Sequence, residues 1–250
     1  MDETTIQVLH EEGRKPESLS YMWVALGYPA RGRPLVLYEY HPSRSGDIPC
    51  DLLDGFSGYL QTGGYDGYNK VVTRNGLIHV GCFAHVRRHF FDAAKVNKKD
   101  SRAHKALSYI RRIYEIESSL QGKELSDDEF VRQRKSSALP VLNGFHAWLV
   151  KTNDEILPKS STGKAVRYAL NEWSKLIRYL DEAFLTPDNN AAENAIRPFA
   201  LGRKNWLFAG SDKGGERIAN ILTIIETVKL HGHNPEVYLT DVLTRIHMET

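Results

Sequence analysis

Three short apolar or aromatic runs at the start of the chain constrain its fold more than any other feature. They are Thr4–Leu9, Tyr21–Leu26 and Leu35–Tyr40, and turn-forming residues separate the second run from the third. Short runs rich in β-branched and aromatic residues between glycine- and proline-containing turns are typical of strands. The runs therefore predict a meander of antiparallel strands at the start of the chain.

Short strands then alternate with helices as far as a basic helix that begins near Ala84. The pattern predicts brief strands at Gly58–Thr62 and Leu77–Phe83, and helices at Ile48–Phe56 and Tyr68–Thr73. Alternation of this kind is typical of an α/β fold, with a mixed sheet that helices cover on both faces.

Beyond Lys95 the apolar residues recur every three or four positions, which indicates helices. Ser126 to Glu129 has the sequence of a capping box, in which each side chain bonds to the other residue's backbone N–H. A wide apolar stripe from Ala165 to Leu180 predicts a further helix. The predicted divisions are 1–98 and 184–250 for the two parts of a mixed α/β core and 99–183 for a helical insertion.

The last part of the chain predicts two more helices, at about Gly215–Leu230 and Pro235–His247. Gly232 is placed to end the first of them. The residues of this helix that we expect to be buried are Ile218, Ile221, Leu222 and Ile225.

Composition narrows the class of protein. No apolar run approaches the roughly 18 residues that span a bilayer, so no membrane partner is expected. The only cysteines are Cys50 and Cys82. Two cysteines are too few for a disulfide framework. The expected location is therefore a reducing compartment, the cytoplasm.

Charge is unevenly distributed although its total is only +2. From Ala84 to Arg112, nine basic residues face two acidic ones, and from Arg197 to Arg217 five face two. Such stretches are either solvated helix faces or surfaces for a polyanion such as DNA. The aromatic residues beside them belong either to the core or to base-stacking surfaces. They are Phe83, Phe90, Phe91, Trp206 and Phe208.

Two further groups of residues have chemical potential. Cys82, His85 and His89 have a spacing that metal ligands use, but a structural zinc site needs four ligands, so a buried thiol and helix-surface histidines are the favoured interpretation. Asp2 and Glu193 could together hold hard divalent cations. The alternatives are a solvated terminus for Asp2 and a helix-start charge for Glu193.

Three segments together resemble one family. They are Asp2-Glu3-Thr4, the stretch from Gly81 to Arg88 (GCFAHVRR), and the long string from Asp188 to Phe208 (DNNAAENAIRPFALGRKNWLF) with Ala209-Gly210-Ser211 after it. The chain resembles, over nearly its whole length, the catalytic region of the insertion sequence sixty-six transposases, which are acidic-triad (DDE) enzymes.

The resemblance implies a ribonuclease H-like fold with an α-helical insertion before the last catalytic acid. It implies two Mg²⁺ ions and the cutting and joining of DNA strands at the ends of an insertion element and at its target. The implied partners are DNA and other transposase subunits, with a homo-oligomer as one form. Asp2 matches the first triad acid and Glu193 the third, as catalytic and metal-binding residues.

The second triad acid has no match. In Leu60-Gln61-Thr62-Gly63-Gly64-Tyr65 the position of the expected aspartate is Gly63, and Asp66 three residues later is a weak substitute. Since glycine offers no ligand, we expect impaired catalysis. The segment that family members carry before the first acid, for DNA recognition, is also expected to be missing.

The expected DNA contacts are Arg87, Arg88, Arg203, Lys204 and Trp206. Phosphate contacts by such side chains position DNA without reading its sequence. The rival functions are a non-catalytic DNA-binding remnant, a ribonuclease H-like nuclease that acts on other nucleic acids, and a pure interaction module.

Overall fold

The computed structural model describes residues 1–28 and 33–246, a mixed α/β protein. Its strands are β1 (Asp2–His10), β2 (Leu19–Gly27), β3 (Leu35–His41), β4 (Tyr59–Gln61), β5 (Ile78–Val80) and β6 (Phe208–Ser211). Its helices are α1 (Asp47–Leu52), α2 (Tyr68–Asn75), α3 (Phe83–Val96), α4 (Ser101–Leu120), α5 (Asp127–Glu155), α6 (Ser161–Asn171), α7 (Trp173–Leu176), α8 (Asn190–Trp206), α9 (Asp212–Leu230) and α10 (Pro235–Arg245).

The chain forms two compact units. The sheet unit contains Met1–Asp54 and the chain from Asn190 onward, and the helical unit contains Gly55–Asn189. Of the predicted terminal helix, His247 lies outside the described residues. Within those residues, no helix is both long enough and apolar enough to cross a membrane.

Strand β1 is an inner strand of the sheet unit, whose order is β3-β2-β1-β6. It pairs with β2 in antiparallel register, Asp2 opposite Val24, and with β6 in parallel register, Val8 opposite Ala209. The three predicted strands of the meander are confirmed. Strand β6 was not predicted, because its four residues have no pattern of their own and their partner lies about 200 residues earlier in the chain.

Helix α9 closes the outer edge of β3 with side chains. An edge strand offers unpaired backbone groups, which proteins cover or pair. Thr223 and Thr227 of α9, and His231 directly after the helix, are spaced four apart and bond to alternate backbone positions of the strand segment. The bonds join Thr223 to the N–H of Tyr38 (2.9 Å), Thr227 to the N–H of Val36 (3.1 Å), and His231 Nε2 to the carbonyl of Pro34 (2.7 Å).

This contact decides which side of α9 is buried, and it corrects one prediction. Ile221 was expected in the core but is 55% exposed. The row that includes Gly215 and Ala219, both buried, continues through the threonines toward β3. Because Ile221 lies off that row, it projects into solvent.

The helical unit is built on a parallel pair, β4 and β5, with Leu60 opposite His79. The core of this unit comes from α3 to α7 and includes Phe83, Phe90, Ile110, Phe145 and Val166, all fully buried.

The single helix that the 165–180 stripe predicted is interrupted in the structure. Helix α6 ends at Asn171, α7 has one turn, and a 3-10 turn follows at Ile177–Leu180. The carbonyl of Lys175 accepts the N–H of Gly81 at 3.0 Å. This contact ties α7 to the end of β5, beyond the first interruption at Asn171.

Only one of the two hydrogen bonds of the predicted capping box forms at the start of α5. Ser126 Oγ accepts the N–H of Glu129 at 3.3 Å, as predicted. The Glu129 carboxylate binds the side chains of Arg132 and Gln133. The Arg132 and Gln133 side chains thus take the Glu129 carboxylate away from the backbone N–H of Ser126, which is a weaker donor than the charged guanidinium.

A buried ion pair joins three helical segments of the helical unit. Arg134 of α5 is 2% exposed and lies 2.8 Å from the Glu117 carboxylate of α4. The same guanidinium donates to the carbonyls of Tyr179 (2.8 Å) and Glu182 (2.9 Å). Burial raises the pKa of Glu117, and the guanidinium opposes that rise. The pair therefore depends on both partners being present.

We expect Arg134→Met to lower the free energy of unfolding by about 3–5 kcal/mol, since it leaves Glu117 charged and buried without its cation. Adding Glu117→Leu should recover most of the loss. Urea unfolding of the two single variants and the double variant measures the coupling.

Arg132→Met is the matched control on the same helix. Its ion pair with Glu129 is exposed, so the loss should stay below about 1 kcal/mol. Additive losses for Arg134→Met and Glu117→Leu would contradict the coupling.

Candidate functional site

Two carboxylates that the sequence singles out lie in the sheet unit, close enough for the charge of Glu193 to raise the pKa of Asp2. Asp2 is the first residue of β1, and Glu193 lies in the first turn of α8. A carboxylate in the first turn of a helix is favoured by the helix dipole. Strand β1 thus determines the position of Asp2, and the first turn of α8 determines that of Glu193.

The electrostatics of Asp2 report this proximity. Burial raises the pKa of Asp2 to about 6, the carboxylates of Glu3 and Glu193 add to the rise, and a hydrogen bond from the Glu3 N–H opposes it. Glu3 itself pairs with Arg44. A divalent cation is the natural partner for two carboxylates that disfavour each other's charge, and their hard oxygens suit Mg²⁺. The residues present in this unit therefore fit such an ion.

The basic residues of α8 have different surroundings. The Arg203 guanidinium donates to the carbonyl of Thr5 and to the hydroxyls of Thr4 (3.3 Å) and Thr5 (2.9 Å), so it fastens α8 to β1. Lys204 is exposed. Trp206 is half-buried, because its ring packs edge-on against Phe199 with 5.4 Å between centroids.

Gly63 follows β4 in the helical unit and lies against a histidine ring. A Cβ built on Gly63 would be 3.0 Å from Cε1 and 3.1 Å from Nε2 of His85. The φ of Gly63 is outside the left-handed region, so the backbone itself accepts a side chain. His85 thus fills the space into which a larger residue at position 63 would project. Asp66 is exposed in the turn before α2.

The recognisable motifs of the helical unit converge on the carboxyl ends of β4 and β5. The Gln61 amide donates to the carbonyls of Gly81 (3.3 Å) and Thr186 (2.7 Å). The N–H of Phe83 donates to the carbonyl of Pro187 at 2.8 Å. Three stretches far apart in sequence are thereby fixed to one another.

Buried polar contacts complete this junction. The Cys82 thiol accepts the N–H of Asn189 at 3.2 Å. Burial raises the pKa of Tyr114 strongly, and the Asp188 carboxylate, its hydrogen-bond partner, raises it further. The thiol is buried, while His89 is exposed with its ring 4.3 Å from that of Tyr168. The sequence favoured a buried Cys82 and helix-surface histidines; Cys82 and His89 fit this, whereas His85 is half-buried against Gly63.

The outer face of α3 carries the first predicted DNA contacts. Arg87 and Arg88 are both exposed. The aromatic residues beside them divide: Phe83 and Phe90 are fully buried, whereas Phe91 is 44% exposed. Helical periodicity could have found the difference, since 83, 86 and 90 fall on one face and 91 lies beyond it.

Two relations at the site were not predicted. Neither the tie from Arg203 to β1 nor the packing of His85 on Gly63 has a signal in the sequence, because each joins residues distant along the chain.

Comparison with known proteins gives relatives but no solved structure that matches. Three similar proteins of Sinorhizobium fredii are each described as uncharacterized. The protein y4qI is 33% identical over 98% of this chain, y4hP is 34% identical over 85%, and y4jD is 32% identical over 98%. The matched regions cover 47%, 41% and 49% of those proteins, so the chain spans about half their length or less.

Family models match nearly the whole chain. The model described as "Transposase IS66 family" matches residues 1–217, and that described as "IS66 C-terminal element" matches residues 223–250. The first match contains Asp2, Gly63, Glu193 and the motif junction of the helical unit. The chain therefore belongs to the IS66 family of transposases.

Proposed function

We propose that this chain is the catalytic core of a DNA transposase, built for metal-dependent cleavage and transfer of DNA strands at the ends of an insertion element. The observation that carries the proposal is that Asp2, at the start of β1, is buried in the sheet unit and has its pKa raised by burial and by the charges of Glu3 and Glu193. The match to the transposase family supports the same assignment.

In this proposal Asp2 and Glu193 hold divalent cations, expected as two Mg²⁺ ions. When bound, such ions activate an attacking oxygen and stabilise a leaving oxygen in phosphodiester chemistry. The chain's own contribution is positional. Strand β1 holds Asp2, the start of α8 holds Glu193, and Arg203 fastens that helix to the strand.

The fold and organisation that we propose follow the family. The ribonuclease H-like part is the mixed four-stranded sheet with α8 and α9 against it, and the helical insertion is 99–183, which the helical unit contains whole. The proposed partners are the element ends, target DNA and other transposase subunits, in the cytoplasm. The proposed DNA contacts are Arg87 and Arg88 in the helical unit, and Arg203, Lys204 and Trp206 in the sheet unit.

We further propose that catalysis is impaired, because Gly63 stands where the resemblance expects the second acid. The position of His85 supports this, since its ring occupies the space that a side chain at 63 would need. The second candidate function, favoured by the same observation, is a DNA-binding remnant that competes for ends or subunits without cutting.

The raised pKa of Asp2 predicts a pH-dependent stability. Protonation favours the folded state when the folded pKa, about 6, exceeds the ordinary value near 3.8. This contribution is complete below about pH 4 and is lost as the pH rises through 6. In EDTA near pH 7.5, Asp2→Asn should therefore be more stable to urea than the unaltered chain by on the order of 2–3 kcal/mol.

The difference should shrink to near zero at about pH 4, and Mg²⁺ or Mn²⁺ should stabilise the unaltered chain more than the variant. Glu12→Gln, at an exposed acid of the same unit, is the control and should show neither effect. Equal metal stabilisation of the unaltered chain and Asp2→Asn would contradict a metal role for Asp2.

A nicking assay tests the impaired site. On a duplex that carries the ends of the encoding element, with Mn²⁺, the unaltered chain should cut no faster than Asp2→Asn. We expect Gly63→Asp to raise cleavage at least about tenfold, since it supplies the carboxylate ligand that the proposed metal site lacks. Combining it with His85→Ala makes room for the new carboxylate.

Gly63→Asn has nearly the same shape without the charge, so it should not restore cleavage. Robust cleavage by the unaltered chain that Asp66→Ala leaves unchanged would contradict the impairment. Cleavage without strand joining, on DNA that lacks element ends, would favour a ribonuclease H-like nuclease.

A further inference from the structure

An exposed aromatic ring on α3 has two cations close to it. Arg87, Phe91 and Lys95 are spaced four residues apart, so they form one stripe along the helix surface. The Arg87 guanidinium carbon lies 5.9 Å from the centre of the Phe91 ring, and Lys95 Nζ lies 4.6 Å from it. Both distances are within the range of cation–π attraction.

A single exposed phenylalanine needs no functional explanation by itself. The surroundings of Phe91 are what distinguish it. The core of the helical unit takes up its neighbour Phe90 completely and leaves Phe91 at 44% exposure. Phe91 is not part of that core, and nearly half of its surface stays open beside the two cations.

The charge around the ring has one dominant sign. The exposed basic residues of α3, α4 and their connection are Arg87, Arg88, Lys95, Lys98, Lys99, Arg102, Lys105, Arg111 and Arg112. Asp92 reaches Lys95 only at 4.0 Å, and Asp100 is occupied as the N-cap of α4 and by Thr162. A ring set in such a surface suits a ligand that has both flat apolar faces and closely spaced negative charges.

We propose that Phe91 is a stacking platform for an unpaired base of single-stranded DNA, with Arg87 and Lys95 on the flanking phosphates. The inference rests on the proposed function and names the form of DNA that this surface prefers. The bases of a duplex already stack on each other, so a ring on a helix surface can stack on one of them only after that base has left its neighbours. An unpaired base offers its face freely, and base–aromatic stacking is worth a substantial share of single-strand affinity.

Fluorescence anisotropy tests the proposal in EDTA, where cleavage does not interfere. The probes are an oligothymidylate of about 15 nucleotides and a duplex of equal length. Phe91→Leu keeps an apolar side chain but removes the ring, and should weaken single-strand binding roughly 5- to 100-fold while changing duplex binding less than about twofold. Phe184→Leu is the matched control at a ring that is 69% exposed, and should change neither.

The cations should act differently from the ring. Arg87→Gln and Lys95→Gln should weaken binding of both probes and each reduce the slope of log affinity against log salt by about 0.7 for the single strand. Circular dichroism establishes that each variant keeps its helix content.

Unchanged single-strand binding in Phe91→Leu would overturn the proposal, as would equal losses on both probes. Tighter binding of polyglutamate than of DNA would also overturn it, because the surface would then suit an acidic protein. The result is separate from the nicking assay: a chain that never cuts but loses single-strand affinity with Phe91→Leu supports the platform alone.

Discussion

The need of β1 for hydrogen-bond partners on both of its sides governs the sheet unit. One partner, β2, follows it directly in the chain, whereas the other, β6, arrives only after the whole helical unit. The sheet therefore cannot close until the two distant parts of the chain meet. That long closure is slow and costly in entropy, and the pairing that repays it also carries α8 and Glu193 to the strand that bears Asp2. The acid pair is thus a product of the strand pairing.

The helical unit is a single continuous stretch of the chain, so its helices pack together without such a long closure. The buried ion pair of Arg134 and Glu117 joins α4, α5 and the 3-10 turn in one core. A charge buried in this manner gives little net stability but penalises any arrangement in which its partner is missing. Arg134 therefore specifies which helices pack together more than it strengthens their packing.

Local patterns along the chain predicted most of the helices and strands, but few of the contacts between them. The three strands of the meander and the helices from α3 to α5 were predicted, because alternation and helical spacing are properties of short windows. The exposure of Ile221, the contact of Lys175 with Gly81 and the pairing of β6 each involve a backbone group more than 90 residues away. At the site, the sequence named Asp2, Glu193 and Gly63 through a family resemblance. The packing of His85 on Gly63 and the division of Phe90 from Phe91 needed the structure.

The bonds from Thr223, Thr227 and His231 to the edge of β3 have a consequence for solubility. That strand alternates buried valine and tyrosine side chains, and an open edge of this kind is a template for pairing with another chain. All three bonding residues fall within the segment that the C-terminal element matches. Three side chains of this element thus cover the edge where a fifth strand would otherwise pair. A variant that loses them would expose unpaired backbone groups of β3 and would be prone to aggregate, although the core of the unit is intact.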